Sequence, residues 1–99
     1  MVSLIPLGSE AKKTALTLLY KLRRRDIASV LIETKKIRKG LRQAEQINAS
    51  YSVIIGEEEL KEDRGQVKTM KTRETEKLPL NRLIEFFKEK NGLQKNAPL

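Results

Sequence analysis

Short β-rich runs alternate with helical stripes along the first half of this chain, and that alternation is its most constraining feature. Three runs, at residues 3–7, 27–33 and 51–55, are rich in Val, Ile and Leu. Between them, apolar residues recur every three or four positions, as on one face of an amphipathic helix. Strands that alternate with helices pair in parallel through right-handed crossovers, so we expect the first three strands to be parallel.

The two helical stripes between these strands share a buried face and a polar face. Their apolar members are Ala11, Ala15, Leu18, Leu19 and Leu22 in the first, and Ile37, Leu41, Ala44 and Ile47 in the second. Ser9 is a candidate N-cap for the first helix, which we expect to end near residues 25–26. The second helix is expected to end at residues 48–49.

The second half of the chain predicts a β-pair followed by a helix. We expect a short helical turn at residues 57–63, and a β-pair of residues 65–71 and 75–80 joined by a turn at 72–74. Asn81 is a candidate cap for a last helix that buries Leu83, Ile84 and Phe87 and stops at Asn91-Gly92. The 99 residues fit one domain, which we place at 1–92, with a flexible C-terminal tail at 93–99.

The composition excludes several classes of site. The chain contains no cysteine and no histidine, so disulfides, thiolate metal sites and imidazole-based triads are ruled out. We expect no metal site and no catalytic site. No apolar stretch approaches the roughly 20 residues that cross a bilayer, so we expect a soluble, cytoplasmic protein without a membrane partner.

The net charge of +8 is unevenly distributed. Residues 12–42 contain eleven Lys or Arg and only two acidic residues, whereas residues 57–63 contain five acidic residues and one Lys. A basic half favours a polyanionic partner, because neutralised phosphates release condensed counterions. The alternative is an ordinary solvated helix surface.

The carboxyl ends of parallel strands are where open α/β sheets bind ligands. Here those ends are residues 7–9, 33–36 and 56–59. The first offers the free amides of a helix N-terminus. The second offers Lys35 and Lys36, with Arg38 one turn further, for phosphates, and the third offers carboxylates that accept hydrogen bonds from bases. We call these three strand ends the rim of the sheet. A rim with both hydrogen-bond donors and acceptors suits unstacked nucleotides, because single-stranded loops expose their base edges.

Structural explanations exist for the same residues. Gly8 permits a tight turn, the lysines are solvated at a helix start, and Glu57 and Glu59 favour the N-terminus of a short helix. We expect the aromatic residues in the core rather than as stacking platforms for bases; they are Tyr20, Tyr51, Phe86 and Phe87. Glu57 and Glu59 are not expected to form a catalytic acid–base pair, because nothing distinguishes two neighbouring exposed carboxylates.

Four segments resemble a known family in their order and spacing. They are IPLGSEA (5–11), AxxLLYKLRRRDI (15–27), KKIRKGLRQAEQINASYSVIIGEEEL (35–60) and GQVKTMKTRETEKLPLNRLIEFFK (65–88). Together they resemble the anticodon-binding domain of class II aminoacyl-tRNA synthetases over about residues 3–90, and the histidyl branch is the nearest of those considered.

This resemblance implies a three-layer α/β/α domain with a five-stranded mixed sheet whose fourth strand is antiparallel. It also implies that the rim reads the anticodon loop of tRNA, with Glu59 as a base-contacting carboxylate. The resulting candidate RNA-binding residues are Leu7, Gly8, Ser9, Thr34, Lys35, Lys36, Arg38, Glu57, Glu59, Lys71 and Arg73. Met70 and Arg73 depart from the family pattern, which often has Lys and Gly there.

The implied role is that of the C-terminal domain of a histidine–tRNA ligase, with the histidine tRNA as partner. ATP and Mg would then act only in the full-length enzyme, expected to be a homodimer, and this chain would hold no cofactor and be monomeric alone. The alternative is a free-standing, synthetase-like paralogue that acts as a regulatory or protein-interaction domain.

Overall fold

The computed structural model describes residues 1–95, with the backbone alone for 91–95. In chain order its elements are β1 (Val2–Pro6), α1 (Ser9–Arg24), β2 (Ser29–Leu31), α2 (Ile37–Gln46), β3 (Tyr51–Ile55), α3 (Glu57–Glu62), β4 (Arg64–Thr69), β5 (Thr75–Pro79), a short 3-10 turn (Leu80–Arg82) and α4 (Leu83–Lys95). The predicted order of strands and helices is confirmed.

The five strands form one mixed sheet in the order β2-β1-β3-β4-β5. β1 pairs in parallel with both β2 and β3, because α1 connects β1 to β2 and α2 connects β2 to β3, and each helix returns the chain to the edge where the strands begin. β4 is antiparallel to β3 and to β5. The expectation of three parallel strands is therefore confirmed, as is the antiparallel fourth strand.

Helices cover both faces of the sheet. The α1 stripe is fully buried on one face, where α4 also packs through Leu83 and Phe87. On the other face, Ala44 of α2 packs with Ile5 and Ile54 of the sheet. Burying one such large apolar side chain contributes about 1.5–3 kcal/mol. These two cores make the three-layer α/β/α architecture that the resemblance implied.

Three helices are each followed by a residue whose backbone is in the left-handed helical conformation. Asp26 follows α1, Asn48 follows α2 and Asp63 follows α3, with φ of 60°, 57° and 58°. Asp and Asn tolerate this conformation better than other residues with a side chain. Each residue therefore stops its helix and turns the chain toward the next strand.

Several predicted boundaries are wrong. Ser9 is the first residue of α1 and Gly8 occupies the cap position without a side-chain hydrogen bond. Asn81 lies inside the 3-10 turn, so it does not cap α4. α4 continues through Asn91-Gly92 to Lys95, because a single glycine lowers helix stability by only about 1 kcal/mol. β2 is confined to Ser29–Leu31, since as an edge strand it has one neighbour.

Two predictions of burial are also wrong. Ile37 at the start of α2 and Ile47 directly after its end are each 42% exposed, because Gly40 and Ala44 occupy the face of the helix that meets the sheet. Tyr20 is 64% exposed on the outer face of α1, so it is not a core residue. The remaining aromatic residues do pack together, with Phe87 only 1% exposed.

Within residues 1–95, no helix has the length and apolar character required to cross a membrane. The division at residue 92 between a domain and a flexible tail stays a prediction, and residues 96–99 of that tail lie outside the described residues.

Candidate nucleic-acid interface

The carboxyl ends of β1, β2 and β3 lie side by side, and we call this the carboxyl edge. Pro6 pairs with Ile55, and Leu4 pairs with Leu31. Beyond these pairs the N–H of Leu7 donates to the carbonyl of Ile55 at 2.9 Å. The segments that follow the three strands, residues 7–9, 32–36 and 56–59, are thereby brought to one edge of the sheet.

A cleft of about 350 Å³ opens between the ends of β1 and β2. Its lining residues are Pro6, Gly8, Ser9, Lys12, Glu33, Thr34 and Lys35. Gly8 has a φ of 106°, a conformation that residues with a Cβ rarely adopt. The first helical hydrogen bond of α1 runs from the N–H of Lys12 to the carbonyl of Gly8, so the preceding amides are free of helical acceptors. They are available to an anion or a base oxygen.

Thr34 bonds to the backbone of the loop between β2 and α2. Its Oγ1 accepts from the N–H of Lys36 and lies 3.2 Å from the carbonyl oxygen of Lys36, to which it donates. The side chains of Lys35, Lys36 and Arg38 are exposed and form no ion pair among the described residues. Glu33, by contrast, pairs with Lys12 at 2.9 Å. The loop and the start of α2 thus present three cations that no described carboxylate neutralises.

Glu59 is largely buried, at 8% exposure, and its carboxylate is partly used by the fold. Oε1 accepts a hydrogen bond from the N–H of Gly56 at 2.8 Å. A Cβ on Gly56 would lie 2.9 Å from that oxygen and 3.8 Å from Leu7, so the three residues are close neighbours. Oε1 thus has the structural role of capping α3 that the sequence allowed, whereas Oε2 has Lys77 Nζ at 3.9 Å and no hydrogen-bond donor among the described residues. Glu57 is exposed beside it.

Lys77 is a residue of this region that sequence analysis missed. Its Nζ lies 2.8 Å from Glu62, 3.9 Å from Glu59 and 4.0 Å from Glu58. The hydrogen bond from Lys77 lowers the pKa of Glu62 below its ordinary value, and the same bond raises the pKa of Lys77. No local pattern could reveal this contact, because the partners belong to α3 and β5 and meet only through the sheet.

Lys71 and Arg73 lie at the opposite end of the sheet. Thr69 pairs with Tyr51 at the start of β3, and the N–H of Met70 donates to the carbonyl of Ser50. The hairpin that follows is therefore remote from the carboxyl edge, because β4 runs antiparallel. Lys71 and Arg73 are not brought together with the other nine candidate residues.

The two departures from the family pattern have local structural roles. Arg73 has a φ of 65°, the left-handed conformation that favours glycine, and its guanidinium lies 3.8 Å from Glu45. Met70 is half-buried, and its sulfur accepts a hydrogen bond from Ser52 Oγ at 3.3 Å. These contacts of Arg73 and Met70 are with Glu45 and Ser52, and not with residues of the carboxyl edge.

Aromatic stacking does not define this interface in the part of the chain that the structure describes. Tyr51, Phe86 and Phe87 contact one another with ring centroids 5.1–6.0 Å apart, on the face that α4 covers. A larger groove of about 660 Å³ lies between α1, α4 and the end of β5, away from the loops of the carboxyl edge. Among residues 1–95 no group of Asp and Glu side chains is arranged to hold a metal ion.

The fold and the carboxyl edge define an α/β domain that presents backbone amides, cations and carboxylates together. A family model described as "Anticodon binding domain" matches residues 1–90. The chain therefore belongs to the anticodon-binding domain family, which confirms the resemblance seen in its sequence.

The similar proteins include histidine–tRNA ligases. The ligase of Staphylococcus haemolyticus is 38% identical over 90 residues, which are 90% of this chain and 21% of that protein. That of Bacillus licheniformis is 36% identical over 86 residues, 86% of this chain and 20% of that protein. This chain thus spans about a fifth of the curated relatives that it matches.

Solved structures show the same architecture. Apo histidyl-tRNA synthetase of Staphylococcus aureus matches 87% of this chain, and 25% of its own, with a TM-score of 0.81 at 31% identity. The RNA-binding domain of threonyl-tRNA synthetase from Cryptosporidium parvum matches 90% of this chain and 23% of its own, with a TM-score of 0.78 at 21% identity. At 21% identity, the match to the threonyl-tRNA synthetase domain shows a shared fold alone.

Proposed function

We propose that this chain recognises the anticodon loop of tRNA as the C-terminal domain of a histidine–tRNA ligase. Family membership implies tRNA binding, and the histidine isoacceptor is the partner that the curated relatives favour. The observation that carries the proposal is the convergence of three chemically different segments on the carboxyl edge.

Each segment has a task that follows from its chemistry. The free amides after Gly8 bind a phosphate or a base oxygen. Lys35, Lys36 and Arg38 neutralise phosphates of the anticodon stem-loop. Glu59, through Oε2, accepts a hydrogen bond from an amino or imino group of an unstacked base. Lys71 and Arg73 lie too far along the sheet to join this edge, so any contact that they make involves another part of the tRNA.

The deciding experiment is a titration of the purified domain with two RNA hairpins of identical stem. One carries the histidine anticodon loop and the other carries the same loop nucleotides in scrambled order. We expect salt-sensitive binding to both and tighter binding to the first. Equal affinity for the two hairpins at every salt concentration would contradict anticodon recognition.

The aminoacylation reaction belongs to the rest of the enzyme in this proposal. ATP and Mg would be used there, and the homodimer expected of the full-length enzyme would form outside this chain. An excess of this domain, added to a full-length histidine–tRNA ligase from another organism, should therefore inhibit the charging of tRNA by competing for the anticodon. A free-standing regulatory domain would leave charging unchanged unless it bound the ligase itself, which a pull-down with the ligase alone would reveal.

A further inference from the structure

Helix α2 presents three cations on the face directed away from the sheet. Its sheet-facing positions are Gly40 and Ala44, both buried. Arg38, Lys39 and Arg42 are all exposed, and they are neighbours on the helix surface because residues three and four apart lie side by side. We call these three residues the α2 cation strip.

The cation strip is not neutralised by the protein. No acidic residue occurs between Glu33 and Glu45 in the sequence, and both of these carboxylates are engaged elsewhere. Glu33 pairs with Lys12 at 2.9 Å, and Glu45 lies 3.8 Å from Arg73. In the described part of the chain, none of the three strip residues forms an ion pair.

These charges oppose the stability of the helix that carries them. Like charges one turn apart repel each other, and cations in the first turn oppose the helix dipole. Acidic residues in the first turn and basic residues in the last turn would stabilise a helix, and α2 has neither. A local loss of helix stability of this kind is expected where residues serve a binding function, because function commonly trades against stability.

The chemistry of the strip fits a nucleic-acid backbone. Two of its three members are arginines, whose planar guanidinium binds phosphate through two parallel hydrogen bonds. The strip contains no aromatic side chain for stacking and no carboxylate to accept from a base. On a paired RNA stem, the deep and narrow major groove hides the guanine edges that an arginine could otherwise read. The strip therefore contacts phosphates there, as expected of positioning contacts.

The location of α2 indicates which phosphates these are. The helix begins just after Thr34 and Lys36 at the carboxyl edge and runs away from it over β1 and β3. Its ten residues span about 15 Å. A hairpin whose loop lies at the carboxyl edge can therefore extend its paired stem along α2.

We propose that the α2 cation strip binds the backbone phosphates of the paired anticodon stem and so sets the orientation of the tRNA. This inference rests on the proposed function and adds Lys39 and Arg42 to the interface. It assigns them to the stem, whereas Lys35 and Lys36 contact the loop.

The test compares two double variants of equal charge. K39Q/R42Q removes two cations from the strip, and R24Q/R25Q removes two exposed cations from the end of α1, so that each lowers the net charge from +8 to +6. The salt dependence of affinity is measured for each with an anticodon stem-loop and with a single-stranded oligonucleotide of the loop sequence alone. Circular dichroism verifies that α2 and the fold are intact.

For the stem-loop, we expect K39Q/R42Q to reduce the slope of log K against log salt by about 1.4–1.8, as for two lost phosphate contacts. The loop oligonucleotide, and the R24Q/R25Q variant with either RNA, should keep the wild-type slope. The preference for the histidine loop over the scrambled loop should also be unchanged.

Three results would overturn the inference. An unchanged stem-loop slope in K39Q/R42Q would remove the strip from the interface. An equal reduction of the slope in the two double variants would indicate only a long-range effect of net charge. An equal reduction of the slope for the stem-loop and the loop oligonucleotide in K39Q/R42Q would mean that the strip contacts the loop. Stem-loop binding that persists without loop preference would instead contradict the proposed function, so the two failures are distinguishable.

Discussion

The carboxylate of Glu59 accepts a hydrogen bond from the backbone N–H of Gly56, with 2.8 Å between Oε1 and the nitrogen. This bond satisfies one of the free amides at the start of α3. The second oxygen, Oε2, lies 3.9 Å from Lys77 Nζ, and in the proposed function it is the atom that accepts a hydrogen bond from a base. Capping of the helix and the proposed base contact thus use different atoms of the same side chain.

Glu59→Gln separates these two roles. A glutamine keeps one oxygen for the Gly56 N–H and puts an amide group, a donor, where Oε2 stands. We expect discrimination between the histidine and scrambled loops to fall by about 1–3 kcal/mol, as for one good base contact. Titration with the two hairpins measures this change.

Two further variants complete that experiment. Glu59→Ala should lose the cap as well and lower the free energy of unfolding by about 0.5–2 kcal/mol, as measured by denaturant titration. Glu58→Gln changes an exposed neighbour that caps nothing and serves as the control. A loop preference that survives Glu59→Gln would remove Glu59 from the interface.

Gly40→Ala tests the close approach of α2 to the sheet. An added Cβ would lie 2.8 Å from Ile5 Cγ2 and 3.0 Å from Thr34 Cγ2, so both side chains must move. Overpacking of this kind destabilises by about 1–3 kcal/mol, against a gain in helix propensity of about 1 kcal/mol. We therefore expect the free energy of unfolding to fall by up to about 2 kcal/mol, measured by urea denaturation.

The matched control for that variant is Gln46→Ala, at an exposed position of the same helix. It should change stability by less than about 0.5 kcal/mol. If Gly40→Ala were more stable than the wild type by the full helix-propensity gain, Ile5 and Thr34 would have to yield without resistance, and the tight packing of α2 would be refuted.

Arg73→Gly should stabilise the protein. Arg73 has a φ of 65°, and the left-handed conformation costs a residue with a Cβ about 1–2 kcal/mol. Glycine removes that strain but loses conformational entropy on folding, so we expect a net gain of up to about 1 kcal/mol in thermal or chemical unfolding. Lys71→Gly, in the same exposed turn but without a positive φ, should lower stability instead. Loss of stability in both variants would show that the backbone at Arg73 is unstrained.

The ion pair between Lys77 and Glu62 predicts a specific pH dependence. Because the pKa of Glu62 is below its ordinary value of 4.5 in the folded state, the stabilisation is present above that value and is lost as the pH falls through the folded pKa. The pKa of Lys77 is raised above 10.5, so the stabilisation is also lost at strongly alkaline pH. NMR titration of the Glu62 carboxyl carbon should show a midpoint below 4.5.

In Lys77→Gln, that midpoint should move up, because the hydrogen bond from Lys77 is the largest cause of the lowered pKa of Glu62. Lys61→Gln removes a lysine adjacent to Glu62 in sequence and should leave the midpoint in place. A midpoint that stays low without Lys77 would mean that another group holds the Glu62 carboxylate.

The type and order of the secondary-structure elements were determined by the sequence alone. The apolar stripe of α1 and the β-rich runs of β1 and β3 are local periodicities, and a helix or strand with one apolar face has few ways to bury it. The same periodicity failed at Ile37 and Ile47, because close packing of Gly40 on Ile5 rotated the buried face of α2 away from them. The edge formed by three parallel strand ends could also be anticipated, since crossover connections have one hand.

Only the tertiary structure decided which candidate residues share a surface. Lys71 and Arg73 are separated from Glu59 because β4 runs antiparallel to β3 and carries them to the far end of the sheet. Lys77 meets Glu59 and Glu62 because β5 is added beside β4. Periodicity reports the environment of one segment, whereas strand direction and neighbours depend on packing between residues distant in sequence. For that reason the sequence indicated the chemistry of the candidate residues, and only the tertiary structure decided which of them lie together at the carboxyl edge.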